Sequence, residues 1–280
     1  MLEGVESIIG FVSISQGLYS QASNLCGGKV TIRLKNCNVR TMQMSAVAVP
    51  HAGRGGLDQC NLTLDVEALN TTFSVRNQRP IIEVNNPPSF VFSITITMML
   101  LSCTVEFADT RSQILYILVD GTRVNSMIQL TDTVIVQQWT PFRNLFNTEL
   151  APASIIEVGS LRNSTIELIS CNVTVVQKST STMFLQLPAA LLLSVTKSTL
   201  DALITIRNSS FVVVTNTSRG SRFELHAPLL NLSNTGPPMR TAILVQDSTF
   251  INIESIVSRL VPAVNNNSQM TMIDGCGNRW

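Results

Sequence analysis

The feature that most constrains this chain is a short phrase that recurs along it. Each copy holds an apolar residue, a spacer, a polar residue, Cys or Ser, then Ser, Thr or Asn, and a second apolar residue. Internal repetition of this kind is typical of architectures in which one structural unit stacks on the next. The copies begin at Leu34, Leu100, Leu161, Leu168, Val195, Ile206 and Val245, with a weaker copy at Met272.

Apolar residues alternate with polar ones around these phrases, as in Val30, Ile32 and Leu34. A period of two residues is the strand period. In a parallel β-solenoid the inward residues of successive coils form apolar columns, and Asn tolerates the left-handed backbone of a sharp corner. The pattern therefore predicts an all-β fold, namely a right-handed parallel β-helix of the pectin-lyase kind. The alternative is a β-sandwich-like stack.

The spacing of the copies is irregular and runs from 7 to 66 residues. Copies 7 or 11 residues apart are too close to lie in successive coils. Gaps of 27, 39 and 61 to 66 residues fit one or two coils of about 20 to 30 residues with loop insertions. Because no segment is long enough to be an interdomain linker, we expect one β-solenoid segment over residues 1–280, as a fragment of a longer repeat protein.

Composition narrows the classes of partner. Lys and Arg total 19 against 18 Asp and Glu, so no basic surface for nucleic acid or an anionic membrane is expected. The longest charge-free stretch, residues 84–105, approaches membrane-span length, yet Ser93, Thr95 and Thr97 alternate with apolar residues. That alternation predicts a buried strand, with a membrane span as the alternative. Membrane association would then require an anchor that this segment lacks.

The location of the protein is indicated by its Asn-x-Ser/Thr sequons. Residues 1–6 are acidic where a secretory signal needs a basic region, which leaves two interpretations: a cytosolic protein, or a piece of a longer exported chain whose signal lies upstream. The chain nevertheless holds eight sequons, where composition alone predicts about half as many. We therefore expect a piece of a longer chain at the cell surface or outside the cell. The candidate glycosylation sites are Asn61, Asn70, Asn163, Asn172, Asn208, Asn216, Asn231 and Asn266.

Six cysteines are widely spaced, without a Cys-x-x-Cys pair and with only two histidines, so neither a metal site nor another cofactor is expected. An even number suits disulfides in an oxidising compartment, and six cysteines allow 15 pairings. The alternative is small thiols buried in a core. The cysteines are Cys26, Cys37, Cys60, Cys103, Cys171 and Cys276.

Catalytic chemistry has one candidate pair. Asp65 and Glu67 alternate on one strand face, with His51 and Arg54 nearby in sequence. Paired carboxylates of this kind serve acid and base roles in glycosidases and lyases, so a carbohydrate-active β-helix is the alternative function. A solvated strand face is the simpler interpretation, and Glu106 with Asp109 is a weaker pair. His226 is expected to be packed in a core or loop. We therefore predict a protein that is not an enzyme.

A family resemblance follows from particular phrases. Leu34 to Val39, Ile206 to Phe211 and Val245 to Phe250, together with the sequons and the ending Gly275 to Trp280, resemble the dispersed gene family surface proteins of kinetoplastid parasites. The resemblance implies a segment of a surface glycoprotein with β-helical repeats and without a catalytic site. It further implies a structural or adhesive module that displays loops to host or neighbouring cell-surface molecules.

Overall fold

The computed structural model describes residues 2–3, 6–7, 12–13, 28–41, 47–49, 60–75, 80–85, 92–108, 114–118, 123–139, 154–179, 190–217, 227–232, 240–257 and 270–280. Within these ranges the ordered elements are β-strands, and no helix is present. Every strand pairing among them is parallel. The predicted all-β class is therefore confirmed, with parallel sheets.

The strands form two sheets. The large sheet contains β1 (Leu2–Glu3), β3 (Val12–Ser13), β4 (Gly28–Lys35), β6 (Val47–Val49), β7 (Cys60–Leu69), β9 (Ile82–Asn85), β10 (Phe92–Leu101), β12 (Leu115–Leu118), β13 (Arg123–Thr131), β15 (Ile156–Ile169), β17 (Leu193–Arg207), β19 (Leu230–Asn231), β20 (Thr241–Gln246) and β22 (Met270–Asp274). The small sheet contains β2 (Glu6–Ser7), β5 (Asn38–Thr41), β8 (Thr72–Val75), β11 (Thr104–Phe107), β14 (Val134–Trp139), β16 (Asn172–Ser179), β18 (Ser210–Thr217) and β21 (Thr249–Ile251).

The large sheet has two rows of strands. The first row runs β1, β4, β7, β10, β13, the later halves of β15 and β17, β20 and β22. The second row runs β3, β6, β9, β12, the earlier halves of β15 and β17, and β19. The two rows join because β15 and β17 are long enough to belong to both. β17 also carries a register shift against β15 between Val158 and Ser160.

A two-residue link connects a first-row strand to the small-sheet strand that follows it. This link occurs after β4, β7, β10, β13, β15, β17 and β20. The first link residue has a left-handed backbone, with φ between 46° and 54°. Asn, Asp and Ser occupy this position because their short polar side chains tolerate that conformation. Successive links lie 30 to 39 residues apart along the chain. The first link residues are Asn36, Asn70, Ser102, Asp132, Ser170, Asn208 and Asp247.

The second link residue is buried and small, and the seven of them form what we call the small-residue column. None is more than 4% exposed. Each link bonds to its neighbours through the backbone: Ser102 N–H donates to Thr131 O at 3.0 Å, and Thr104 N–H donates to Thr71 O at 3.0 Å. Every position of the column is occupied by Cys, Thr or Ser. Its members are Cys37, Thr71, Cys103, Thr133, Cys171, Ser209 and Ser248.

Apolar columns in register form the core. In the small sheet the column is Val39, Phe73, Val105, Ile135, Val173, Phe211 and Phe250. In the second row it is Ile82, Leu115, Ile156, Leu193 and Leu230, each 0% exposed. Burial of aliphatic side chains such as these stabilises by about 1.5 to 3 kcal/mol each, so the columns hold the sheets together.

The C-terminal segment continues two of these columns. Asn278 Oδ1 accepts a hydrogen bond from Ser248 N–H at 2.9 Å. It thus takes the place that the hydroxyl of the next member of the small-residue column would hold. Trp280 stacks on Phe250 with ring centroids 4.8 Å apart. Gly277 has φ +83° and lies against the Asp247 carboxylate, where a Cβ would collide. The glycine therefore lets the chain pass close to the last link.

The charge-free stretch of the sequence is a strand. β10 buries Ile96, Met98 and Leu100, while Thr95 and Thr97 face outward. Among the residues that are described, no helix is long and apolar enough to span a membrane. The sequence also contains a shorter apolar run over residues 183–195. Leu191, Leu192 and Leu193 of this run are buried, and residues 183–189 lie outside the described ranges.

Candidate functional site

The carboxylate pair predicted from the sequence lies on the outer surface of the first row. Asp65 Oδ2 accepts from Lys29 Nζ at 2.7 Å, and Glu67 Oε2 accepts from Arg33 Nε at 2.9 Å. Both cations come from β4, the neighbouring strand. The arrangement is two ion pairs across adjacent parallel strands, on an exposed sheet surface.

The protonation state of Asp65 follows from these contacts. The hydrogen bond from Lys29 lowers the pKa of the Asp65 carboxyl, against partial burial that raises it, and a hydrogen bond from Thr97 lowers it further. A general acid in a glycosidase needs a raised pKa so that it holds a proton near neutral pH. The pKa of Asp65 is instead lowered, so this carboxyl is poorly suited to act as the general acid.

Of the other candidate residues, the described one lies on a different sheet from this pair. Glu106 is exposed on the outer surface of the small sheet. His51, Arg54, Asp109 and His226 lie outside the described residues. In the part of the chain that the structure describes, no three His, Cys, Asp or Glu side chains are grouped so as to hold a metal ion.

The sequon asparagines occupy several kinds of position. Asn70 and Asn208 are exposed first residues of links, and Asn163 is exposed with φ 45° inside β15. Asn172 is exposed at the first position of β16. Asn231 in β19 is different, since it is only 7% exposed. Asn61 and Asn216 lie in β7 and β18, and Asn266 lies outside the described residues.

Three cysteines belong to the small-residue column. Cys37, Cys103 and Cys171 are buried free thiols, and Thr71 and Thr133 alternate with them. Thiols two strands apart are separated by about 9.6 Å between Cα atoms, whereas a disulfide needs less than about 7 Å. For these three the buried-thiol interpretation is therefore correct. Cys276 is an exposed free thiol.

Hydrogen bonds and burial disfavour reactivity of the Cys103 and Cys171 thiols. Cys103 Sγ donates to Ala68 O at 3.4 Å, and burial raises the pKa of the thiol. Cys171 Sγ donates to Leu130 O at 3.3 Å, and burial raises its pKa to about 11. A nucleophilic or redox-active cysteine needs a lowered pKa and solvent access, so neither is a reactive centre.

A surface feature that the sequence analysis missed lies beside the carboxylate pair. Leu69, Met99, Leu101 and Met127, which we call the outer apolar patch, are 37 to 47% exposed. They project from β7, β10 and β13 in adjacent registers. A shallow recess of about 240 Å³ opens among Arg33, Glu67 and three of these side chains. The sequence feature behind this patch is that apolar residues also occupy outward positions of the strands, as Met99 and Leu101 do in β10.

No family model matches the chain, and no curated protein or solved structure matches it either.

Proposed function

We propose that this chain is a non-catalytic segment of an exported glycoprotein, a structural or adhesive module in which a right-handed parallel β-helix displays loops along a rod. The in-register parallel pairing and the repeated two-residue links support winding of the chain into coils. Parallel strands joined by crossovers are right-handed in nearly every known case, which supports the handedness.

The sequons need separate explanations. A link that reads Asn, small residue, then Ser or Thr is also a sequon, so Asn70 and Asn208 follow from the backbone requirement alone. Asn172 does not, because it starts a regular strand and has no left-handed backbone. Its exposure is the observation that carries the glycoprotein proposal.

The adhesive role rests on the textural resemblance to dispersed gene family surface proteins and on the varying length of the connecting segments. The number of residues between a small-sheet strand and the second-row strand that follows it differs from one repeat to the next. Variable loops on a regular scaffold are a common basis for recognition. Host or neighbouring cell-surface molecules are the partners that this arrangement suits.

Carbohydrate cleavage at Asp65 and Glu67 receives less support. Each carboxylate is held in an ion pair, and the pKa of Asp65 is lowered. We therefore base the proposal on the scaffold and its sequons and not on this pair.

Site-by-site mass spectrometry of protein isolated from its own cells tests the proposal. We expect glycan on Asn172 and on exposed link asparagines such as Asn208. Asn231 is the internal control and should be bare, since a glycan there would have to displace a buried side chain. A Thr174→Ala variant, which removes the sequon and keeps Asn172, should lose that glycan alone. Bare Asn172 in native material would contradict the proposal.

A further inference from the structure

The outer apolar patch lies in the middle of the outer surface of the first row. Outward side chains of the first row form columns in register: Arg33, Glu67, Met99, Gln129 and Glu167 follow one another from β4 to β15. Strands in such a sheet are about 4.8 Å apart. The surface is therefore a ladder with a fixed period, and Met99 lies in its middle.

Charge is absent from the middle of this surface. Residues 95–101 of β10 and 125–131 of β13 contain no Asp, Glu, Lys or Arg. At the neighbouring β4 and β7, opposite charges form the pairs Lys29 with Asp65 and Arg33 with Glu67, and Lys35 lies in register with Leu69 at the edge of the patch. Depletion of charge with enrichment of Met and other large apolar residues is typical of the buried centre of a protein interface.

Sequons avoid the same part of the chain. Between Asn70 and Asn163 the sequence contains no Asn-x-Ser/Thr, and this interval includes all of β10 and β13. Within β10 and β13 the patch therefore has no glycan acceptor, and the sequon residue Asn70 lies at its edge, directly after Leu69. A surface whose centre is apolar and has no glycan acceptor is suited to contact with protein.

We propose that the outer surface of the first row, centred on Met99 and Met127, is an interface between two copies of this chain. Two sheets pack face to face about 10 Å apart, with interdigitating side chains. Two identical ladders also have identical periods, so their side chains can interdigitate at every strand. A partner with a different spacing loses that match within a few strands.

The available area is sufficient for a stable dimer. Seven first-row strands, β4 to β20, average about seven residues in length along this surface. At about 4.8 Å between strands and about 3.3 Å per residue, they cover roughly 700 Å² on each copy. Two copies then bury roughly 1,400 Å², within the range of about 1,200 to 2,000 Å² for specific complexes. The two-fold arrangement uses the same surface on both copies, as closed homodimers do.

Sedimentation of the full chain across a concentration series tests this interface. We expect a monomer–dimer equilibrium for the wild type. The double variant Met99→Lys with Met127→Lys should raise the dissociation constant at least about 100-fold, because each dimer would bury unpaired ammonium groups. Lys keeps an aliphatic stem on the sheet, so the monomer fold is expected to persist.

Val214→Lys with Ile251→Lys is the matched control. These side chains are 43 and 45% exposed, as much as the patch residues, but they lie on the small sheet. The control should leave dimerisation unchanged. A wild type that stays monomeric up to about 100 µM, or equal weakening by both double variants, would overturn the proposal.

A measurement on the wild type covers the case in which a variant fails to fold. Exposed Met is oxidised readily to the sulfoxide, so its oxidation rate reports access. Oxidation of Met99 and Met127 should slow at least severalfold as concentration rises through the dimerisation range. Equal rates at all concentrations would overturn the interface, independently of any result on glycosylation.

Discussion

The side-chain amide of Asn70 donates through Nδ2 to Oδ1 of Asn36 at 2.8 Å, and these two residues begin successive links. Asn70 has φ 46° and Asn36 has φ 54°. The same residue type thus tolerates the left-handed backbone and bonds from one link to the next.

Substitution at Asn70 separates these two contributions. Asn70→Ala should lower the free energy of unfolding by about 1 to 2 kcal/mol, because Ala tolerates left-handed backbone poorly. Asn70→Gly keeps the backbone conformation and loses only an exposed hydrogen bond, so its cost should be smaller. Urea denaturation of both variants measures the difference. Equal losses would show that φ at this position does not matter.

The thiols of the small-residue column should be protected from alkylation. With iodoacetamide at pH 8 we expect rapid labelling of Cys276 and none of Cys103 or Cys171, since both are buried and the pKa of Cys171 is about 11. Peptide mass spectrometry identifies each site, and labelling in urea is the control. Cys103 and Cys171 joined in a disulfide would contradict the register.

Removal of the hydroxyl should lower the free energy of unfolding at one of two buried serines and not at the other. Ser164 Oγ accepts from Ser126 N–H at 3.0 Å and donates to Arg162 O at 2.8 Å. Ser126 Oγ is buried without a hydrogen bond, since its other neighbour in register is Ile96. Ser164→Ala should cost about 1 to 3 kcal/mol, whereas Ser126→Ala should be neutral or slightly stabilising. Thermal unfolding compares the stability of the two variants. A larger loss of stability for Ser126→Ala would contradict this assignment of hydrogen bonds.

The Lys29 to Asp65 ion pair predicts a pH dependence. The pKa of Asp65 is lowered below its ordinary value of 3.8 in the folded state, chiefly by the hydrogen bond from Lys29. Its contribution is therefore present above pH 3.8 and is lost as pH falls through the lowered pKa. Asp65→Asn should cost about 0.2 to 1 kcal/mol at pH 7, as for surface pairs. In urea titrations this difference should vanish at acidic pH, and its persistence there would exclude the pair as the cause.

The links show what the sequence could predict. The phrase located five of them, at Asn36, Ser102, Ser170, Asn208 and Asp247, because Cys or Ser follows each. It missed Asn70-Thr71 and Asp132-Thr133, since Thr also fits the column but the phrase required Cys or Ser. The apparent gaps of 61 and 66 residues come from these two omissions.

Two copies of the phrase lie elsewhere. Leu161 to Ile166 contains the left-handed Asn163 where β15 passes from the second row to the first. In Val195 to Leu200 the residues Ser198 and Thr199 pair with Ser160 and Leu161 inside a strand, and the bend comes later at Asp201. A short phrase cannot distinguish such positions, because pairing with a neighbouring strand decides which residue turns.

The sequence predicted the position of the carboxylate pair, but not its partners or the exposure of other site residues. Alternation placed Asp65 and Glu67 on one face correctly, but their partners Lys29 and Arg33 lie on another strand, and only the register brings them together. Burial of Asn231 likewise depends on strands that pack over it. Exposure of the outer apolar patch was not foreseen, because inward and outward apolar residues of β10 look alike in sequence.

The in-register stack is tested most directly by distances along one outward column. Lys35, Leu69, Leu101, Thr131, Ile169, Arg207 and Gln246 follow one another from strand to strand. Spin labels introduced as unnatural amino acids at position 35 and at 131, 169, 207 or 246 in turn leave the native thiols unchanged. Pulsed dipolar spectroscopy should give distances rising by about 4.8 Å per strand, from about 14 Å to about 29 Å. Distances that do not increase by a constant step in this order would contradict the stack.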